Sequence, residues 1–168
     1  GLGRTITMTL QAEGCRVAVN GRDRGSLDKL ARHLGDSGMA IEGDVTDPEA
    51  CRSMVASIEQ RFGQLDILVC NVGSGASVSP GKETPAEWRR VLDINLASTT
   101  NMVEAATGAL ARQSGAVVCI SSICGIETLG APVTYSVAKA ALNAYVRGIA
   151  RPLGARGVRI NAVAPGNL

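Results

Sequence analysis

Ser122, Tyr135 and Lys139 stand at separations that suit proton transfer: the serine precedes the tyrosine by thirteen residues and the lysine follows it by four. The run TYSVAKAALNAYVRGIARPL after Pro132 has a helical pattern with Thr134 near its start, so Tyr135 and Lys139, at i and i+4, share one face. A phenol, with an ordinary pKa of about 10, is a poor acid or base at neutral pH, and a fixed ammonium beside it favours the phenolate. Unit charges about 4 Å apart at an effective dielectric of about 20 interact by roughly 4 kcal/mol, equivalent to about three pK units. Such a neighbour would carry Tyr135 towards the range in which general acid-base catalysis is efficient. A YxxxK pair also arises by chance on helix surfaces, so its meaning depends on what positions it.

The segment GAVVCISS, which ends at Ser122, is an apolar and β-branched run closing in small polar residues. That pattern predicts a buried parallel strand with serines at its carboxyl end, the place where open α/β sheets bind ligands.

With these residues in place, the chain resembles the short-chain dehydrogenase/reductase family over essentially its whole length. The family's serine thirteen residues before YxxxK falls on Ser122, Tyr135 and Lys139, and its upstream helical asparagine falls on Asn95 in VLDINLAS. The stretch RINAVAPGNL looks like the strand and Pro-Gly turn that close over the nicotinamide in relatives, which brings in Pro165, Gly166 and Leu168. The resemblance implies a doubly wound parallel sheet, a Rossmann-type three-layer α/β/α domain over residues 1–168, apparently without the first strand and the C-terminal part. In that layout the first strand lies between the second, here Arg16 to Asn20, and the fourth, here Leu65 to Cys70. The two strands are then expected about two strand spacings apart, roughly 9.6 Å, with a slot between them. A longer parent chain is the matching expectation.

The opening GLG looks like the tail of the family's glycine-rich phosphate loop, making Gly1, Leu2 and Gly3 cofactor-binding candidates. Glycines let the backbone approach a pyrophosphate, and the helix that follows offers its free N–H groups and positive dipole end. At the end of the next strand, Gly21 stands where a carboxylate would accept ribose hydroxyls, and Arg22 behind it can pair with a 2'-phosphate through its planar fork. NADP is therefore expected over NAD. The competing reading gives the ribose to Asp23 and leaves Arg22 as a solvated charge.

Asp44 and Val45 in GDVTD match the family's loop against the adenine, while Thr46 or Asp47 before Pro48 also reads as a helix cap. The helix beginning there is expected to run to about Phe62. The apolar run LDILVC then breaks into Cys70-Asn71-Val72-Gly73, where relatives have Asn-Asn-Ala-Gly, so Asn71 and Gly73 remain to let backbone approach the cofactor. Beyond a Pro-Gly loop at 79–85, EWRRVLDINLASTTNMVEAATGALA reads as one long helix containing Asn95. An asparagine in mid-helix disfavours the helix and so calls for a reason. The resemblance supplies one, a water relay towards the lysine, and it also implies a homodimer or homotetramer formed through the helices around 86–112 and 134–152.

At 168 residues the chain suits one domain. With 45% hydrophobic residues and a net charge of +2, it has neither a disordered composition nor a basic nucleic-acid surface. No apolar run reaches membrane-spanning length, so a small-molecule partner is expected, with no nucleic acid and no membrane. Five cysteines without CxxC or His/Cys spacing read as buried thiols of a cytoplasmic protein, and no metal site is expected. His33 lies on a charged helix far from the motifs.

The expected activity is hydride transfer between a nicotinamide and a carbonyl or secondary alcohol carbon. Tyr135 passes the proton, Ser122 holds the substrate oxygen, Lys139 supports Tyr135 and the nicotinamide ribose, and Asn95 orders water. Similarity in the SSICG and NGRD stretches leans to 3-oxoacyl thioester reductases. A nucleotide-binding regulatory protein without turnover and a sugar-nucleotide epimerase or dehydratase are the alternatives.

Overall fold

A computed structural model describes residues 1–166; Leu168, one of the expected cofactor contacts, lies outside them. Three helices start where side chains punctuate them. Asp47 accepts from the Glu49 N–H ahead of Pro48 and opens α3 (Pro48–Phe62). Thr84 accepts from the Glu87 N–H ahead of Pro85 and opens α4 (Pro85–Leu92). In both, proline occupies a first-turn position whose N–H needs no partner. Asp23 caps α2 (Arg24–Leu34) in the same way, its carboxylate accepting from Ser26 at 2.7 Å.

The described strands are all parallel to their neighbours. β1 (Val17–Gly21) pairs with β2 (Gly38–Glu42), with Val17 opposite Gly38. In a separate sheet, β4 (Ala116–Ile120) lies between β3 (Ile67–Cys70) and β5 (Arg159–Val163). The main core packs these three strands against α5 (Ser98–Arg112) and α6 (Val133–Gly154), through Val103, Leu110, Val117, Leu142 and Ile160. β1 has its own small cluster, Val19 with Leu27 and Leu34 of α2. A third cluster, Val45, Cys51 and Met54, reaches Met102 and Ala105 of α5.

One continuous sheet is thus replaced by two. Among the described residues no strand lies between β1 and β3, and a cavity of about 650 Å³ separates them, lined by Val17 to Asn20 on one side and Ile67 to Cys70 on the other. The edges that face it have no strand partner, because parallel strands can bond only to a neighbour one spacing away.

The helix expected to run unbroken through Asn95 is interrupted. Residues Asp93–Ala97 form a π-turn, wider by one residue, between α4 and α5. Helix α1 (Leu2–Ala12) begins at Gly1 with no side chain capping its first N–H groups.

Candidate active site

Ser122 lies just past the end of β4, and its Oγ accepts from the Cys124 N–H at 3.2 Å at the start of a short 3₁₀ turn. Two backbone bonds tie this corner to β5 and the turn after it: Ser121 N–H to Val163 O at 2.8 Å, and Ile123 N–H to Pro165 O at 2.9 Å. Pro165 is therefore against the serine loop, and exposed Gly166 follows it.

Tyr135 and Lys139 rise from the first turns of α6. Lys139 is 3% exposed and its Nζ donates to Ile120 O at 2.9 Å, two residues before Ser122. The ammonium stands 5.8 Å from the centre of the Tyr135 ring. Burial holds the lysine below its ordinary pKa, opposed by the neighbouring Cys119.

Asn95 reaches the same place from the π-turn. Its Oδ1 accepts from the Ser74 N–H, and its Nδ2 donates to Ser74 O and to Val91 O, each at 3.0 Å. The wide turn aims this side chain out of the helix, so a fully buried amide has its polar atoms paired. A Cβ at Gly73 would stand 2.9 Å from Asn95 Oδ1 and 3.1 Å from Lys139 Nζ, so only glycine lets this backbone come between the two. Gly73, Asn95, Lys139 and Tyr135 thus converge.

The remaining candidates lie in two further places. A Cβ at Gly3 would stand 2.6 Å from Asn71 Nδ2, which brings the start of α1 against the loop after β3. Leu2 and Gly3 offer uncapped N–H groups there, with Gly1 before them. Arg22 and Asp44, at the ends of β1 and β2, lie 3.7 Å apart on the surface. Asp44 is held below its usual range by hydrogen bonds from the Thr46 N–H and hydroxyl, with Arg22 contributing least. The Val45 side chain is 6% exposed within the third core cluster, and its carbonyl accepts from Asn101 and Cys51, so what it can offer an open site is limited to backbone.

The glycine approaches and the uncapped helix start suit a dinucleotide: open N–H groups for phosphate at α1, and a cationic side chain at the ribose end of β1. Among the described residues no cluster of His, Cys, Asp or Glu is arranged to hold a metal ion, and no helix is long and apolar enough to cross a membrane.

Sequence spacing does not single out three residues near the site. Ser77 and Thr134 share a hydrogen bond at 2.6 Å, and Ser77 donates to Glu87 at 2.7 Å. Thr84 followed by Glu87 at the third helical position is a capping-box signal for α4, and nothing in it points to Thr134.

The family model described as "Enoyl-(Acyl carrier protein) reductase" matches residues 1–168. The chain is 31% identical to the 3-oxoacyl-[acyl-carrier-protein] reductase of Escherichia coli, aligning over 99% of its own length and 68% of the relative's. It superimposes on a short-chain dehydrogenase/reductase from Burkholderia xenovorans with a TM-score of 0.92 and 36% identity, over the whole chain and 68% of that one. A short-chain dehydrogenase/reductase from Caenorhabditis elegans, described as solved with cofactor, gives a TM-score of 0.92 at 26% identity, and the chain spans 65% of its length.

Proposed function

Because the chain belongs to the short-chain dehydrogenase/reductase family and is an NAD(P)-dependent oxidoreductase resembling 3-oxoacyl-[acyl-carrier-protein] reductases, we propose that it interconverts the ketone of a 3-oxoacyl thioester and the secondary alcohol, with NADP(H) as cofactor. The observation that carries this reading is the convergence of Tyr135, Lys139 and Asn95 around Gly73.

A bound nicotinamide supplies or accepts the hydride at its C4. The chain's own residues do the rest. Tyr135 gives its phenolic proton to the oxygen of a ketone in reduction and takes one from the alcohol in oxidation. Ser122 donates to the same oxygen and steadies the charge that develops on it. Lys139, anchored to Ile120 O, keeps a positive charge beside the phenol and can reach the nicotinamide ribose with its remaining N–H donors. Asn95 locks Ser74 and so holds Gly73 against the lysine.

The preference for NADP is supported by position and by elimination. Gly21 brings no carboxylate to the end of β1, Asp23 is engaged as the cap of α2, and exposed Arg22 has only a solvated partner in Asp44. Gly1, Leu2, Gly3, Asn71, Pro165 and Gly166 complete the cofactor contacts in this reading. Assembly as a homodimer or homotetramer is supported by α6, whose outward face carries Val133 and Val137 at 39% and 43% exposure. A cytoplasmic location accords with five free thiols.

Nicotinamide absorbance across a panel of ketones, alcohols and 3-oxoacyl thioesters tests the reading directly. Tyr135→Phe should lose nearly all turnover while cofactor affinity stays within a few-fold, since only the proton-transfer group is removed. More than a tenth of wild-type activity in that variant would refute the role of Tyr135. Cofactor binding without turnover in the wild type would favour a regulatory protein.

A further inference from the structure

We propose that Thr134 is a positioning residue for Tyr135, acting through a directed hydrogen-bond chain from Thr134 to Ser77 to Glu87 that fastens the first turn of α6 to the loop carrying Gly73 and Ser74. The inference rests on the reading of Tyr135 as the proton-transfer group.

The direction of the chain follows from proton counting. Arg90 grips Glu87 with two bonds, Nε to Oε2 at 2.9 Å and Nη2 to Oε1 at 2.7 Å. Those bonds first, and the Ser77 hydroxyl second, hold the Glu87 carboxyl down to about 2, so it is ionised and can only accept. Ser77 has one hydroxyl proton and gives it to Glu87 Oε1 at 2.7 Å. In the 2.6 Å contact between the two hydroxyls, Thr134 must therefore be the donor. A bond that ends on a charged acceptor is stronger than one between neutral groups, and a chain of them polarises along its length.

Its ends are what matter. Thr134 is fully buried and adjacent to Tyr135, so its hydroxyl fixes both the rotation of the first helical turn and the direction in which the phenol leaves it. Arg90 also donates to Ala76 O at 2.8 Å, so α4 holds the loop on two adjacent residues. Two residues earlier, Ser74 is bonded on both its N–H and its carbonyl by Asn95. The segment 74–77 is thus pinned by the π-turn at one end and by Thr134 at the other. Lys139 stands against Gly73, the residue just before this segment, and Tyr135 shares the helix with Thr134. Without the hydroxyl bond, α6 and the loop could slide past one another while each kept its own fold, and misplacement on the order of 1 Å costs catalysis about a hundredfold in demanding cases.

Thr134→Val keeps the branched shape and removes only the hydroxyl. In the purified protein, with NADPH and an acetoacetyl thioester as probes, kcat should fall about tenfold while the KM for NADPH stays within about twofold. Thr134→Ser, which restores the donor, should recover most of kcat, a rescue that a packing role for the side chain does not give. Ser77→Ala lies on a half-buried loop and carries the test should Thr134→Val fail to fold. It should lose a similar amount, and the double variant should be no worse than either single one, because the two hydroxyls act as one link. A kcat within twofold of wild type for both single variants, Thr134→Ser as impaired as Thr134→Val, or additive losses would each overturn the proposal. Amide exchange of residues 74–78 reads the same link without turnover: it should quicken in Thr134→Val, and unchanged exchange overturns the proposal. A Tyr135→Phe variant that stays active would instead overturn the reading of Tyr135 and leave the exchange result to judge the link.

Discussion

In the proposed reading cofactor choice turns on Arg22, and its surroundings set the size of the expected effect. Its partner Asp44 is 3.7 Å away with both side chains open to water, an ion pair of the kind that contributes little. A phosphate dianion could displace Asp44 from the guanidinium at small cost. Arg22→Ala should then weaken NADP binding by roughly 1.5 to 3 kcal/mol, the worth of a charged hydrogen bond, and barely change NAD binding. Paired titrations with both cofactors decide it, and equal losses would mean that Arg22 does not meet the 2'-phosphate. At this scale the placement of Tyr135 and Lys139 on one face of a helix was legible from their i, i+4 spacing. Ser77 and Thr134, 57 residues apart, were not, since a hydroxyl pair across so long a separation leaves no periodic trace.

At the scale of elements, the span of α3 could be read from the cap before Pro48, because caps are local chemistry, whereas α4 begins at Pro85 behind its cap Thr84, two residues before the expected Glu87. The π-turn at 93–97 could not be read, because one helix-disfavouring asparagine in DINLA signals a role for Asn95 without specifying a wider turn, and its partner Ser74 lies 21 residues away. Helix α4 also carries an acid-sensitive hold on the loop before it. The Glu87 carboxyl is lowered from an ordinary 4.5 to about 2 by Arg90 and then Ser77. A depressed carboxyl contributes stability that is complete above the unfolded value and is lost as pH falls through the folded one. The hold should therefore be complete above about pH 4.5 and weaken progressively towards pH 2. Trp88, the single tryptophan, is the next residue, and its fluorescence should show this acid step. In Glu87→Gln the step should be missing; its persistence there would assign it to another carboxyl.

Across the whole molecule, the separation of β1 from β3 follows from the family layout that the motifs imply, whereas the way the two sheets stay together lies beyond any local pattern. Val45, Cys51 and Met54 meet Met102 and Ala105 of α5, and Arg112 of α5 bonds Glu59 of α3, so α3 against α5 is the joint. The two parts are unequal. β3, β4 and β5 share a core of thirteen buried residues with α3, α5 and α6, while β1 belongs to a cluster of three with α2. Burying a large aliphatic side chain stabilises by about 1.5 to 3 kcal/mol, so the two bodies should open at well separated free energies. Native-state hydrogen exchange in rising denaturant should release the amides of β1 and β2 in an early subglobal step and those of β4, bonded on both sides, only with global unfolding. A single common opening energy for all five strands would show instead that the cavity does not interrupt cooperativity. The boundary between these two foldons also parts Arg22 from Tyr135. A dinucleotide spanning from one residue to the other would act as a tie across that boundary, and cofactor binding would be measurable as a gain in the folding cooperativity of the chain.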